Sequence, residues 1–242
     1  MTAIGSKAVA ERSDPPAERH AVHVVRVVTR TLGEVLVTSG VIVLLFLAYQ
    51  LVWTNVQAER AAKAHTSELI EKWRAAPLDP EFDLPLAKGQ PFALMYIPRL
   101  GDGYQVPVVE GVSLEVLAEG VGHYPGTALP GEAGNFSVAG HRATNGEPFA
   151  LLDQLEAGDQ VVVETSTTWY TYTVYEEKIV PPTQVDVILP VPGEPTAQPK
   201  KALLTLTTCN PRWASYERLI FHAALEGEQQ KSLGRPAALG GQ

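Results

Sequence analysis

One cysteine, Cys209, closes a run rich in Leu and Thr, and an arginine, Arg218, opens the apolar run that follows it. Between them lies Asn210-Pro211, a turn signal, because Pro fixes φ and cannot donate to a ladder. Residues 203–208 and 219–225 suit pleated, half-buried strands. Side chains two apart on a strand share a face. Leu204 and Leu206 therefore share one face and Cys209 belongs to the other. Leu219, Phe221, Ala223 and Leu225 share one face and Arg218 belongs to the other. If the Leu/Phe faces meet a core, thiol and guanidinium look away from it and can meet on one exposed wall. A bulge in either strand breaks that inference.

Only a thiolate attacks, so a nucleophilic cysteine needs a proton acceptor or a cationic neighbour. The chain holds six histidines. His20 and His23 precede a long apolar run, and His65 falls in a polar helical stretch. His141 is the best candidate. It follows the strand 135–139 and Gly140, and by parity it lies opposite Phe136 and Val138. His222 shares the face of Arg218 but lies about 13 Å further along the strand, and His123 falls in a loop. Arg218 offers a planar fork of donors to an oxyanion or a substrate carbonyl. Its competing reading is a surface arginine paired with Glu217. Arg212, three residues after the cysteine, and Arg142, next to His141, are rivals for the cationic role. No carboxylate pair or metal cluster stands out and no glycine-rich phosphate loop is present. Neither metal nor cofactor is expected.

The 242 residues allow one domain of ordinary size plus appendages. A net charge of −8 argues against nucleic acid as a partner. A single cysteine rules out an internal disulfide framework and a Cys-rich zinc site. Residues 1–34 begin as a polar, Pro-containing tail, expected to be disordered to about residue 20. Residues 35–54 form an expected membrane anchor. No charge occurs from Val35 through Ala58, and 19 helical residues span about 28 Å, close to the hydrocarbon thickness of a bilayer. Tyr49 and Trp53 suit its interfacial belt. A cleavable signal peptide is the competing reading. The run starts too late and no small-residue cleavage site follows it. Arg19, Arg26 and Arg30 precede the span while Arg60, Lys63 and Lys72 follow it, so charge does not orient it. A cytoplasmic N-terminus is favoured because the folded part then lies outside.

Residues 55–90 read as a juxtamembrane spacer helix, ended at Pro77, and an extended proline-bearing linker. From 91 to 227 the composition changes. Runs at 92–97, 105–109, 135–139, 160–164, 169–180, 185–189, 203–208 and 219–225 make eight candidate strands separated by Gly, Pro and Asp. Short helical patches are expected at 113–118 and 148–155. The spacing predicts an all-β barrel or sandwich. Residues 228–242 are expected to be a flexible tail.

Thr205-Leu-Thr-Thr-Cys209, an arginine nine residues on, and Ala139-Gly-His141 upstream together resemble a sortase, over roughly residues 92–226. Within that family the short Cys-to-Arg turn, the Asn-Pro after the cysteine and the absence of a C-terminal membrane helix look most like the class E sortases of actinobacteria. The resemblance implies an eight-stranded sortase-type β-barrel behind one transmembrane helix. It also implies a cysteine transpeptidase. Cys209 would attack the Thr–Gly carbonyl of a C-terminal sorting signal of LAxTG or LPxTG type. His141 would move the proton, Arg218 would hold the oxyanion, and a cell-wall amine would resolve the thioacyl enzyme. The partners implied are secreted proteins with such a signal, a cell-wall precursor and the membrane. A tyrosine near the groove is linked in class E to an Ala preference, which makes Tyr124 the candidate here; Thr207 and Thr208 flank the cysteine as candidate groove residues. Asp79-Pro80-Glu81-Phe82 is similar to the lid of pilus-building sortases, but its spacing departs from that pattern. Two other readings remain: an inactive barrel that binds wall polymer or a partner, and a thiol endopeptidase.

Overall fold

The computed structural model describes residues 16–75 and 86–240. The expected extended linker and the Asp79–Phe82 motif lie largely outside these residues, as does most of the polar N-terminal tail. The chain divides into two units, residues 1–50 and 51–242.

The first unit is helix α1 (Pro16–Ala48), followed by a π-helical turn at Tyr49–Trp53 that bridges the two units. Residues 16–20, expected to be disordered, are helical. From His23 to Ala48 the mean hydropathy is 2.1, and none of that stretch is buried within the protein. An apolar helix of 26 residues, about 39 Å, is long enough to cross a bilayer. It is consistent with a single-pass membrane anchor. The apolar character begins earlier than residue 35 because Arg26, Arg30 and Glu34 are widely spaced and Arg30 pairs with Glu34 at 2.8 Å.

The second unit opens with α2 (Thr54–Ala75) and continues into a closed barrel of eight strands. These are β1 (Pro91–Tyr96), β2 (Gln105–Glu110), β3 (Val121–His123), β4 (Gly134–Ala139), β5 (Gln160–Glu164), β6 (Thr168–Val180), β7 (Ala202–Asn210) and β8 (Glu217–Gln230), with a one-turn helix α3 (Leu114–Leu117) before β3. Their order around the barrel is β1-β2-β3-β4-β7-β8-β6-β5, with β5 closing on β1. The pairs β2–β3 and β4–β7 are parallel and the rest antiparallel. Phe136, Val138, Leu204, Leu206, Leu219, Phe221 and Ala223 fill the interior, as the period-two pattern requires.

Two strand assignments differ from expectation. Residues 185–189 form a 3-10 turn, Val185–Ile188, outside the barrel. Its Val187 packs with Val180 and Ile220 on the outer face of the sheet, so its apolar alternation reflects a cover. The eighth strand is instead β3, three residues long. The helical patch at 148–155 reduces to a 3-10 turn at Leu152–Gln154. β8 runs to Gln230 and is followed by two 3-10 turns, Lys231–Leu233 and Ala237–Leu239, where composition had suggested a flexible end. Nor does α2 behave as a bare spacer. It buries Ala58 and Leu69, and His65 Nε2 lies 3.0 Å from Glu119 of the barrel unit.

The cover rests on a polar network. Asn135 Nδ2 donates to the carbonyls of Val187 (3.2 Å) and Leu189 (3.0 Å), and Thr205 Oγ1 donates to Asn135 Oδ1 at 2.7 Å. Having spent its one proton, Thr205 accepts from His222 Nδ1 at 2.9 Å. His222 Nε2 is buried without a partner. Burial, with Lys178 adding to it and Glu176 opposing, pushes the imidazole down to about 4. The unfolded chain takes up a proton near the ordinary value of about 6.5, the folded one only near 4. Stability is therefore full above about pH 6.5 and falls as the pH drops towards 4, by on the order of 3 kcal/mol. Denaturant midpoints between pH 7 and 4 for the protein and His222→Gln should converge at low pH, because the variant lacks this slope.

Candidate active site

Three neighbouring strands end together. β7 lies between β4 and β8 in the barrel, and Cys209, at the end of β7, is directly opposite Arg218, near the start of β8. Opposed residues on antiparallel strands hold their Cβ atoms about 4.5–5.5 Å apart. On the other flank the parallel register pairs Ala139 with Thr207. Gly140 N–H then donates to the Thr207 carbonyl at 3.1 Å. One residue later, His141 comes level with Cys209. The backbone register thus puts residue 209 between residues 141 and 218. All three belong to the outward-facing set, opposite the leucines and phenylalanines of the core. Each is partly exposed.

His141 is followed by a tight loop that folds back on it. Phe149 N–H donates to the His141 carbonyl at 3.0 Å, and the Phe149 ring packs on Gly140, where an added Cβ would meet it at 2.6 Å. The close approach that the glycine permits is thus an aromatic ring from the same loop. Asn145 Nδ2 lies 3.5 Å from His141 Nε2. Partial burial holds the imidazole below its ordinary value, so it is neutral at pH 7 and can take a proton.

Arg218 Nη1 donates to the backbone carbonyls of Ser215 (3.0 Å) and Glu217 (2.8 Å). Glu217 Oε2 is taken by Asn210 Nδ2 at 2.9 Å. Among the described residues no carboxylate pairs with Arg218, which leaves its charge available to the groove. The two rival arginines are committed elsewhere. Arg142 is buried; it donates to Asn210 Oδ1 at 2.6 Å and the Cys209 carbonyl at 3.4 Å, and pairs with Asp153 at 3.0 Å. It ties the cysteine-bearing strand end to the histidine loop. Arg212 pairs with Glu147 at 2.7 Å. The other candidate histidines serve the framework. His123 is buried, with Nδ1 2.6 Å from Glu110 Oε2, and His222 supports the cover.

Burial raises the Tyr124 phenol. The Thr207 side chain and the Arg218 charge draw it back, and Cys209 pushes it further up. The phenol is therefore in electrostatic reach of all three. Its approach to Thr207 is looser than a formed hydrogen bond, because Thr207 Oγ1 is buried without a partner of good geometry. By parity Thr207 shares the face of Cys209, and Tyr124 follows β3, its N–H donating to the Ser137 carbonyl at 2.9 Å. Thr208 does not join them: it is 2% exposed and donates to the Gly140 carbonyl at 2.8 Å. Its hydroxyl holds the strand end before His141, and parity turns it away from the groove. Sequence reasoning passed over Asn145 and Asp153 and the service rendered by Arg142. The adjacency of Arg142 to His141 was the one available signal.

Residues 95–226 match the sortase domain. The chain is 41% identical over 223 residues to sortase SrtE1 of Streptomyces coelicolor, covering 88% of this chain and 61% of that protein. It thus spans less than two thirds of this relative's length. The structure of sortase E from Streptomyces avermitilis is 47% identical, with a TM-score of 0.58 over 63% of this chain and 99% of that one. Sortase E1 from Streptomyces coelicolor, crystallised with a tripeptide in the active site, is 38% identical, with a TM-score of 0.58 over 63% of this chain and 99% of that one.

Proposed function

This chain belongs to the sortase family, and from that premise we propose that it is a membrane-anchored cysteine transpeptidase that cuts a C-terminal sorting signal of LAxTG or LPxTG type between Thr and Gly. His141 takes the proton of the Cys209 thiol, the sulfur attacks the Thr carbonyl carbon, and a tetrahedral oxyanion forms beside Arg218. Collapse breaks the C–N bond, and the departing Gly nitrogen leaves with a proton from His141. The product is a thioester between the new Thr carboxyl end and Cys209. An amine of a cell-wall precursor then attacks the thioester carbonyl, His141 takes its proton, and the thiolate leaves. A positioned amine outcompetes water through proximity.

The observation that carries this reading is the backbone register of β4, β7 and β8, which brings Cys209 opposite Arg218 and, two residues past the end of β4, level with His141. Tyr124 and Thr207 are its groove residues. The tripeptide in the active site of the Streptomyces coelicolor relative supports a peptide substrate. The N-terminus lies in the cytoplasm and the barrel outside, where secreted proteins and wall precursors meet it. Full-length protein in detergent, given a labelled LAxTG peptide and a small amine, should yield the cleaved peptide joined to the amine. Hydrolysis alone at high amine concentration would indicate an endopeptidase. No reaction, with Cys209→Ala indistinguishable from the parent, would indicate a binding barrel.

The guanidinium carries a separate expectation. Arg218→Ala should lower kcat by on the order of 10²–10³-fold, the usual cost of one oxyanion donor. Arg218→Lys should recover only part, because a point charge replaces a planar fork. Steady-state kinetics of the two variants decide it.

A further inference from the structure

The loop after His141 is strained. Asn145, Gly146 and Glu147 all have positive φ, at 52°, 78° and 47°. Two of the three carry side chains, for which this backbone is unfavourable, so it persists only where the surroundings hold it. The hold comes from α2. Asn55 Oδ1 accepts the Gly146 N–H at 3.1 Å, and Asn55 Nδ2 donates to Glu147 Oε1 at 3.0 Å. Ala58 packs against Gly146, where an added Cβ would come within 3.1 Å of it. The second oxygen of Glu147 takes Arg212 Nη2 at 2.7 Å. Arg212 stands in the turn three residues after Cys209, and its Nε is buried without a partner. Glu147 is thus the ion-pair partner of a half-buried guanidinium. Beside these points the helix is not close-packed: a cavity of about 560 Å³, lined by Ala58, Ala62, Gly146 and Pro148, separates it from the barrel.

We propose that the Asn55–Glu147–Arg212 bridge positions the His141 loop against the Cys209 turn, which makes the helix following the apolar span a working part of the active site. Asn55, Glu147 and Arg212 are positioning residues that act through His141 and Asn145. The inference rests on the transpeptidase reading for its kinetic arm alone.

The test uses full-length protein in detergent and the variants Asn55→Ala, Glu147→Ala, Glu147→Gln and the Asn55/Glu147 double alanine. Asn55→Ala should lower kcat by about 10- to 100-fold, the scale of a small misplacement of a catalytic group, with KM for the sorting peptide within about 2-fold. The double variant should lose less than the product of the two single losses, because the two residues share one bridge. Glu147→Gln offers one acceptor oxygen where the bridge uses two, so it should recover only part of the rate relative to Glu147→Ala. Hydrogen exchange read by mass spectrometry should quicken across residues 142–149 in Asn55→Ala while the barrel strands stay unchanged. Unaltered kcat, additive effects or unaltered exchange in that loop would overturn the proposal. If the parent transfers no acyl group, the transpeptidase reading falls, and the exchange measurement still decides the coupling.

Discussion

Replacing Cys209 by alanine is expected to reduce cleavage and transfer of a sorting peptide by on the order of 10⁴-fold or more, the scale seen when a covalent nucleophile is removed. The loss should fall on kcat. Residue 209 is only partly exposed and its strand is held by backbone pairing to β4 and β8, so the fold does not depend on the sulfur. With that pairing unchanged, peptide binding measured by fluorescence anisotropy should change little. Activity within about 10-fold of the parent would mean that some other group attacks the carbonyl.

His141→Ala has the next largest effect. A positioned general acid–base contributes about 10²–10⁴-fold, and the leaving amine cannot depart without a proton. The loss should exceed that of Arg218→Lys, because no neighbouring base replaces the imidazole: His123 is engaged with Glu110 and His222 with Thr205. The parent's pH profile carries a sign. Burial disfavours the imidazolium, so the folded group protonates below its ordinary value. Activity that needs the neutral imidazole paired with the thiol, or its tautomeric ion pair, should hold on cooling of the pH through about 6.5 and fall only below it. In Gly140→Ala, where the new methyl would displace Phe149, the histidine should become better solvated and the acid limb should move up. An acid limb above pH 7 in the parent would contradict the burial argument. The measurement is kcat/KM against pH between 4.5 and 9.

The parity of β7 was readable because Thr205 and Thr207 alternate with Leu204 and Leu206; that of β8 followed from Leu219, Phe221 and Ala223 sharing a period of two with Leu225, although Ile220 interrupts the polar face. It puts Cys209 and Arg218 on one face. β4 was equally legible, and His141 followed from it. The exchange of 185–189 for β3 has a physical cause. A cover that buries one side presents the same alternation as a strand. Val121-Gly-His123 is too short, and too interrupted by glycine, to show a period. The docking of α2 was invisible for a different reason: its Ala, Glu and Lys pattern is that of a solvated helix. Its key contacts come from single polar residues, Asn55 and His65, which carry no periodic signal. Thr208 is a candidate only because it flanks the cysteine; neighbouring strand residues point to opposite sides, and its hydroxyl donates to the Gly140 carbonyl.

The central claim is a covalent acyl enzyme on one sulfur, flanked by imidazole and guanidinium. Intact-mass spectrometry of the protein incubated with a sorting peptide and no added amine tests it most directly. The account predicts a mass increase equal to the peptide through its Thr, reversed by hydroxylamine and mapped by proteolysis to the fragment containing Cys209. Peptide cleavage with no adduct, or an adduct on any other residue, would contradict it.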